Sequence, residues 1–121
     1  MPKTILLVED DENIASIYIR VLEKSGFNTL HAADGETGFE MALENSPDLI
    51  LLDIMLPQKQ GLTILQELRD HEDTKDLPVY ILSVLSDERM KKKAAEVGAN
   101  GYIVKSEIDA YELVDHVKEV F

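Results

Sequence analysis

The stretch "DLILLDIMLP", residues 48–57, carries the most information about the fold, because a continuous apolar run ends there in a carboxylate. The residues from Leu49 to Leu52 include no polar side chain, which is typical of a strand buried on both faces of a parallel sheet. Burying the charge of Asp53 beside them is costly unless a partner meets it. The stretch therefore predicts a buried strand and raises the question of what Asp53 contacts where that strand ends.

Similar apolar runs recur along the chain and alternate with amphipathic helical patterns. Four further strands are predicted at "TILLV" (residues 4–8), "FNTLHAA" (27–33), "LPVYILSV" (77–84) and "GYIVK" (101–105). Apolar residues at helical spacing follow each strand, and those of the first helix are Ile14, Ile17, Tyr18, Val21 and Leu22. Alternating strands and helices indicate right-handed βαβ units. We therefore expect an α/β fold of the flavodoxin-like (βα)5 type, a three-layer sandwich with parallel strand order 2-1-3-4-5, as one domain over residues 1–121.

Composition and charge narrow the function. The chain has 121 residues, 45% of them hydrophobic, as expected for a compact domain. It has no cysteine, so disulfides and thiolate metal sites are excluded and a cytoplasmic location is expected. Its 24 acidic and 12 basic residues give a net charge of -12, which disfavours direct binding to nucleic acid and favours cations or basic protein surfaces. The first apolar run is too short for a signal peptide, and no membrane insertion is expected.

Chemically active side chains stand at the predicted strand ends. Glu9 and Asp10 follow the first strand, Asp53 ends the third, Ser83 lies at the end of the fourth and Lys105 ends the fifth. Ligands of open α/β sheets bind beyond the carboxyl ends of the strands. We therefore expect these five side chains to converge on one edge of the sheet.

The acids among them predict a site for a divalent cation. Neighbouring strands lie ~4.8 Å apart, which brings Asp10 and Asp53 to about 5 Å. At an effective dielectric constant near 20, two such charges repel by roughly 3 kcal/mol. A divalent cation relieves this repulsion, and oxygen ligands favour Mg²⁺, Mn²⁺ or Ca²⁺ over zinc. Magnesium sites commonly include a phosphate oxygen, which leaves room for a phosphoryl group here.

Each residue also has a purely structural explanation. Asp10 or Asp11 would cap the first helix. Asp53 would form a turn, Ser83 would be a structural hydroxyl and Lys105 a solvated cation. Only the agreement of four strand ends favours a joint functional site over these separate explanations.

Four motifs resemble the receiver domain of two-component response regulators, the CheY-like superfamily. They are "LLVEDDE", "LILLDIMLPQKQG", "ILSVLSD" and "GANGYIVKS", and their order and spacing match over the whole chain. The resemblance implies a phosphoacceptor that assists its own phosphorylation and dephosphorylation but is not an enzyme. A sensor histidine kinase or phosphotransfer protein would donate the phosphoryl group, and a downstream protein would read the result.

The resemblance also implies a role for each site residue. Asp53 would accept the phosphoryl group and help to bind Mg²⁺, or Mn²⁺ in its place. Asp10 would bind the ion directly, Glu9 largely through water, and Met55 through its backbone carbonyl.

The remaining implied roles concern the phosphoryl group and the switch. Lys105 would pair with the phosphoryl oxygens and Ser83 would hydrogen-bond to them. Ser83 and Tyr102 would act as switch residues that remodel the face formed by helix four, strand five and helix five. Pro57 and Gly61 match the loop after the phosphorylation site.

Two positions depart from the family pattern. Val84 stands where alanine or glycine is usual, and with Met55 and Leu85 it is expected to crowd the approach to Asp53, which predicts slow phosphorylation by small donors and a long-lived phosphate. Ser106 replaces the usual proline after Lys105, so a trans peptide is expected there.

Three other interpretations remain open. Val84 and Ser106 would suit a phosphorylation-independent interaction module with a receiver fold. The chain would alternatively be a receiver excised from a longer DNA-binding regulator, although "GANGY" replaces the acidic "GADDY" of the winged-helix branch. An autonomous phosphatase is the third interpretation, with no evident substrate pocket.

The run Lys91–Lys93 is either a solvated helix face or a docking patch.

Overall fold

A computed structural model describes residues 2–56 and 60–121 of the chain. Its strands are β1 (Thr4–Val8), β2 (Asn28–Ala32), β3 (Leu49–Asp53), β4 (Val79–Ser83) and β5 (Gly101–Val104). Its helices are α1 (Glu12–Lys24), α2 (Gly35–Asn45), α3 (Gly61–Asp70), α4 (Glu88–Val97) and α5 (Ala110–Val120), with a short 3-10 turn at Lys105–Glu107. None of the described helices is both long and apolar enough to cross a membrane.

The strands form one parallel sheet in the order β2-β1-β3-β4-β5. Val8 pairs with Leu52, Asp53 with Leu82 and Ser83 with Val104, so the carboxyl ends of four strands lie along one edge. The predicted fold class and strand order are confirmed.

The two faces of the sheet are buried against different helices, which explains the continuous apolar runs. On β3, Ile50 and Leu52 pack towards Ile64 and Leu65 of α3, together with residues of α2 and α4. The alternate residues Leu49 and Leu51 pack on the other face, against α1 and α5. Because successive side chains of a strand point to opposite faces, every position of such a strand must be apolar. Asp53 is the first residue of this run that breaks the rule.

The start of α3 lies directly against the end of β3. A Cβ atom on Gly61 would stand 2.3 Å from the carbonyl oxygen of Asp53 and 2.6 Å from Cα of Ile54. The Gly61 amide donates to the Ile54 carbonyl at 3.0 Å. Only glycine fits at this distance, so Gly61 closes the loop that follows Asp53. Pro57, which was predicted to belong to the same loop, lies outside the described residues.

Three strands are shorter than the sequence predicted. β2 covers 28–32, β4 covers 79–83 and β5 covers 101–104, where the sequence predicted 27–33, 77–84 and 101–105. Lys105 therefore lies at the start of the 3-10 turn and not within a strand. The peptide bond between Lys105 and Ser106 is trans, as expected.

Candidate functional site

Three carboxylates meet at the carboxyl edge of the sheet. One oxygen each from Glu9, Asp10 and Asp53 lies within 4.8 Å of the other two. Glu9 is 1% exposed and Asp53 is 5% exposed, whereas Asp10 is open to solvent. The three acids predicted at the strand ends therefore lie together, with two of them buried and one accessible.

Both carboxylate oxygens of Asp53 have hydrogen-bond partners. Oδ1 accepts the backbone N–H of Met55 at 2.9 Å, and Oδ2 accepts the ammonium group of Lys105 at 3.0 Å. The first contact holds the side chain against the turn after β3, and the second joins it to the end of β5. The carboxylate is thus held in one orientation at the sheet edge.

Lys105 also contacts Glu9, a pairing that the sequence did not indicate. Its ammonium group donates to Oε2 of Glu9 as well as to Asp53, and its side chain is only 9% exposed. Burial works to lower the pKa of Lys105, but the contacts with the two carboxylates outweigh it and raise the pKa above 10.5. The lysine is therefore a fixed positive charge within the acidic cluster.

The environment of Glu9 is the least favourable to a negative charge. Burial raises the pKa of Glu9 above 4.5, and the charge of Asp53 adds to this, although the contact with Lys105 opposes it. Oε1 of Glu9 accepts the backbone N–H of Asp11 at 3.2 Å. Nε2 of His31 lies 2.7 Å from the Glu9 carbonyl oxygen, a contact that no spacing rule in the sequence would reveal.

The structure separates the capping residue from the accessible acid. Asp11, and not Asp10, caps α1, because its Oδ1 accepts the N–H groups of Asn13 and Ile14 at 2.9 and 3.1 Å. The capping alternative raised by the sequence thus applies to Asp11. The exposed carboxylate of Asp10 is directed to the same cluster as Glu9 and Asp53.

Ser83 and Tyr102 contact the same peptide segment. The buried Ser83 hydroxyl oxygen accepts the N–H of Leu85 at 3.0 Å, and the Tyr102 hydroxyl donates to the carbonyl of Leu85 at 3.0 Å. The two residues named as switch residues are therefore connected through Leu85, for which the sequence indicates only apolar bulk near the site.

Apolar side chains surround the mouth of the site. Val84 and Met55 are 58% and 57% exposed. Val84 borders a cavity of about 290 Å³ together with Tyr18 and Lys105, whereas Met55 borders a second cavity of about 470 Å³ that also includes Asp10. The sequence places Tyr18 in the apolar stripe of α1. It is buried there, and burial raises the pKa of its phenol above 10.0, but its ring also borders the Lys105 side of the site.

The donor set of the cluster fits a hard divalent cation. Its three potential ligands are all carboxylates, and one of them is accessible from solvent. With one lysine among three ionised acids, two negative charges remain uncompensated. Oxygen donors and this charge suit Mg²⁺ or Mn²⁺ and do not suit zinc.

Comparison with known proteins agrees with this geometry. The profile of the response regulator receiver domain family matches residues 5–118. The DNA-binding dual master transcriptional regulator RpaA of Synechocystis is 37% identical over 118 residues, which cover 98% of this chain and 48% of RpaA.

Solved structures agree as well. A putative response regulator from Chloroflexus aurantiacus has a TM-score of 0.91 at 35% identity, covering 99% of this chain and 98% of the other. The Mn²⁺-bound form of response regulator Rcp1 has a TM-score of 0.82 at 30% identity, covering 98% and 93%.

The chain spans about half the length of the curated relatives it matches, so its likeness to them concerns their receiver portion. That likeness extends over nearly all of this chain, and the acidic cluster lies at the sheet edge where the motifs placed it. This chain therefore belongs to the response regulator receiver domain family.

Proposed function

We propose that the domain is a phosphorylation-dependent switch in which Asp53 accepts a phosphoryl group from the phosphohistidine of a kinase or phosphotransfer protein. The observation that carries this proposal is the contact of Lys105 with Asp53 at 3.0 Å, within a cluster that also contains Glu9 and Asp10. A buried nucleophile, a fixed cation and acids suited to a metal ion are the components that phosphoryl transfer requires.

The transfer itself follows from the positions of these groups. A carboxylate oxygen of Asp53 attacks phosphorus, the P–N bond to the donor breaks with its electron pair going to the ring nitrogen, and the imidazole leaves as the neutral ring with a proton taken up from solvent. Lys105 stabilises the charge on the phosphoryl oxygens, and the Met55 N–H keeps the carboxylate in place. A divalent cation held by Glu9, Asp10, Asp53 and the backbone carbonyl of Met55 would neutralise negative charge at this centre.

The proposed switch passes from Ser83 to the outer face of the domain. The acyl phosphate adds nearly two negative charges and new acceptor oxygens. When the Ser83 hydroxyl donates to them, its contact with the Leu85 N–H changes, and Tyr102 is bonded to the same residue. A hydrogen bond to a charged group contributes about 1.5–3 kcal/mol, which shifts a two-state ratio roughly 10- to 150-fold.

A second candidate is that the domain is the receiver of a longer DNA-binding regulator. It is favoured by RpaA, whose receiver portion is about half of a DNA-binding protein. Asn100 replaces an acid of the winged-helix pattern, and its side-chain oxygen accepts the N–H of Val79 at 2.9 Å, although the residue is exposed. In either case we place the domain in the cytoplasm, in keeping with a sequence that has no cysteine.

Incubation with acetyl phosphate and Mg²⁺, followed by intact mass measurement, tests the phosphoacceptor role. We expect one added phosphoryl group on the wild type and on Asp115→Asn, an exposed control on α5, and none on Asp53→Asn. A wild type that gains no phosphoryl group and shows no Asp53-dependent change even with a cognate kinase would support the phosphorylation-independent interaction module.

A titration with Mg²⁺ tests the metal site separately. Glu9→Gln and Asp10→Asn should each weaken Mg²⁺ binding at least tenfold. Asp10→Asn removes the charge of the direct ligand, and Glu9→Gln removes the charge of the residue that holds the ion largely through water. The exposed residue Glu12 of α1 offers a control, Glu12→Gln, that keeps wild-type affinity. Unchanged affinity in the two cluster variants would show that the acids do not bind the ion.

A further inference from the structure

We propose that Arg69 fixes the C-terminal end of α4, so that the helix pivots at Gly98 when the switch residues act on its N-terminal end. The inference rests on the proposed function, because it describes how a signal from Asp53 would move one face of the domain. It concerns a residue of α3 that lies outside the acidic cluster and that no sequence motif singled out.

Arg69 is bound to the segment that follows α4. Its Nε and Nη2 donate to the carbonyl of Gly98 at 3.0 and 2.8 Å, and Nη2 also donates to Oδ1 of Asn100 at 3.0 Å. The same oxygen of Asn100 accepts the N–H of Val79 at the start of β4. One guanidinium group thus joins the end of α4 to the sheet.

The remaining nitrogen of Arg69 is bound to the connection between α3 and β4. Nη1 donates to the carbonyls of Leu77 and Lys75 at 2.8 and 3.1 Å and lies 3.5 Å from that of Thr74. Thr74 is fully buried, and its hydroxyl donates to the Leu68 carbonyl at 2.6 Å, so this connection is itself well fixed. All of these acceptors are neutral, which makes the arrangement a structural clamp and not an ion pair.

The backbone conformation of Gly98 and its lack of a side chain leave room for Arg69. Gly98 has φ +117, and a Cβ atom there would stand 2.9 Å from Nε of Arg69. Its N–H and that of Ala99 both return to the carbonyl of Ala94, and the N–H of Asn100 donates to the Val79 carbonyl at 2.8 Å. The C-terminal end of α4 is therefore tied by the Asn100 N–H and by Arg69 to the start of β4 and the end of α3, and Ser83 lies at the opposite end of β4.

The N-terminal end of α4 is attached differently. In the described connection before it, the bonds of Leu85 run to Ser83 and Tyr102, the two proposed switch residues. Along α4 itself, Ala94 is the one fully buried residue, and Met90 and Val97 are partly buried. A helix whose one fully buried side chain is a small alanine can tilt with limited disturbance of the core.

These attachments define which end moves. Movement of the C-terminal end would separate the guanidinium group from the Gly98 carbonyl and from Oδ1 of Asn100, and hydrogen bonds to a charged donor are costly to break. Movement of the N-terminal end requires a rearrangement around Leu85 and a shift of the partly buried Met90 against the core. Because a helix of ten residues is ~15 Å long, a tilt of about 10° displaces the far end by roughly 2.5 Å.

Hydrogen exchange of the wild-type protein with and without beryllofluoride and Mg²⁺ is the first test. Amides of residues 84–92 should change their exchange rates, while those of Gly98, Ala99 and Asn100 should not. Equal changes at both ends of α4 would overturn the pivot and leave the proposed function intact. No change anywhere in the domain would overturn both.

Variants of Arg69 supply the second test. Arg69→Met should accelerate exchange at Gly98 and Ala99 by about tenfold or more, and should spread the beryllofluoride response over the whole of α4. Arg69→Lys keeps the charge without the planar fork and should show the same effect more weakly. Arg20→Met, at an exposed position of α1, is the control. Unchanged exchange at Gly98 and Ala99 in a folded Arg69 variant would overturn the clamp.

Discussion

The ammonium nitrogen of Lys105 lies 3.0 Å from Oδ2 of Asp53, although the two residues are 52 positions apart in the sequence. The same nitrogen contacts Glu9, so one cation serves two buried carboxylates. A metal ion bound to these acids would therefore compete with Lys105 for Glu9. This competition connects stability, pH and metal affinity, and it can be measured.

Lys105→Met should destabilise the metal-free domain. Removing one partner from a buried ion pair leaves an uncompensated charge, and we expect the free energy of unfolding to fall by ~3 kcal/mol. Added Mg²⁺ should restore part of this loss, because it replaces the missing positive charge. Chemical denaturation with and without Mg²⁺ measures both effects. Lys93→Met, on the exposed face of α4, should change little, and an equal loss in that control would argue against a special role for Lys105.

Magnesium affinity should decline at a higher pH than it would for an ordinary glutamate ligand. Burial raises the pKa of Glu9 above 4.5, and the metal requires the ionised form. Protons therefore compete with Mg²⁺ as the pH falls through this raised pKa, and the Mg²⁺ affinity reaches its maximum only above that pKa. Titrations between about pH 4.5 and 8 would show the effect. In Glu9→Gln the affinity should be weaker and less dependent on pH, and an identical pH profile would contradict the assignment.

Tyr102→Phe should loosen the connection between β4 and α4. The variant loses the hydroxyl that donates to the Leu85 carbonyl, and because Leu85 is 37% exposed, water can replace the donor. We expect a loss of stability of about 0.5–1 kcal/mol and faster amide exchange around residues 85–87. Tyr111→Phe, whose ring is 70% exposed, is a matched control. Equal behaviour of the two variants would mean that the Tyr102 contact has no effect on this segment.

Val84→Ala should accelerate the reactions of Asp53 with small molecules. Val84 borders the cavity next to Lys105, so a smaller side chain gives acetyl phosphate and water easier access. We expect phosphorylation by acetyl phosphate, hydrolysis of the acyl phosphate, or both to become roughly two- to tenfold faster, an effect of up to ~1.4 kcal/mol on the barrier. Rates from a mass-based time course would decide this. Wild-type rates for both reactions would refute the crowding argument.

Asp34→Ala should reveal a pH-dependent contribution to stability outside the site. The N–H of Thr37 donates to Asp34 at 2.8 Å at the start of α2, and this bond, with that of the Thr37 hydroxyl, holds the pKa of Asp34 below 3.8. A lowered pKa means that the contribution is present above pH 3.8 and is lost as the pH falls through the folded-state value. Near neutral pH the variant should be less stable by ~1 kcal/mol. The difference from wild type should shrink as the pH falls below 3.8, and a constant difference would contradict the expectation.

Most of the fold follows from local patterns. The apolar run before Asp53 predicts a strand covered on both faces because its side chains alternate between two buried layers. The helical stripes and the alternation of elements then restrict the topology to right-handed crossovers. The predicted strands extended past the ends of β4 and β5, because the ladder ends at the Ser83–Val104 pair and neither Val84 nor Lys105 has a ladder partner.

The sequence by itself determined which side chains stand at the sheet edge, because a parallel sheet brings the carboxyl ends of its strands together. The tertiary structure decided how they pair. Four contacts depend on side-chain directions and distances across the fold. Lys105 binds Glu9 as well as Asp53, and Asp11 caps α1 while Asp10 faces the cluster. Leu85 connects Ser83 to Tyr102, and Arg69 holds Gly98. No spacing along the chain encodes those distances, since each arises only when separate strands and helices pack against one another.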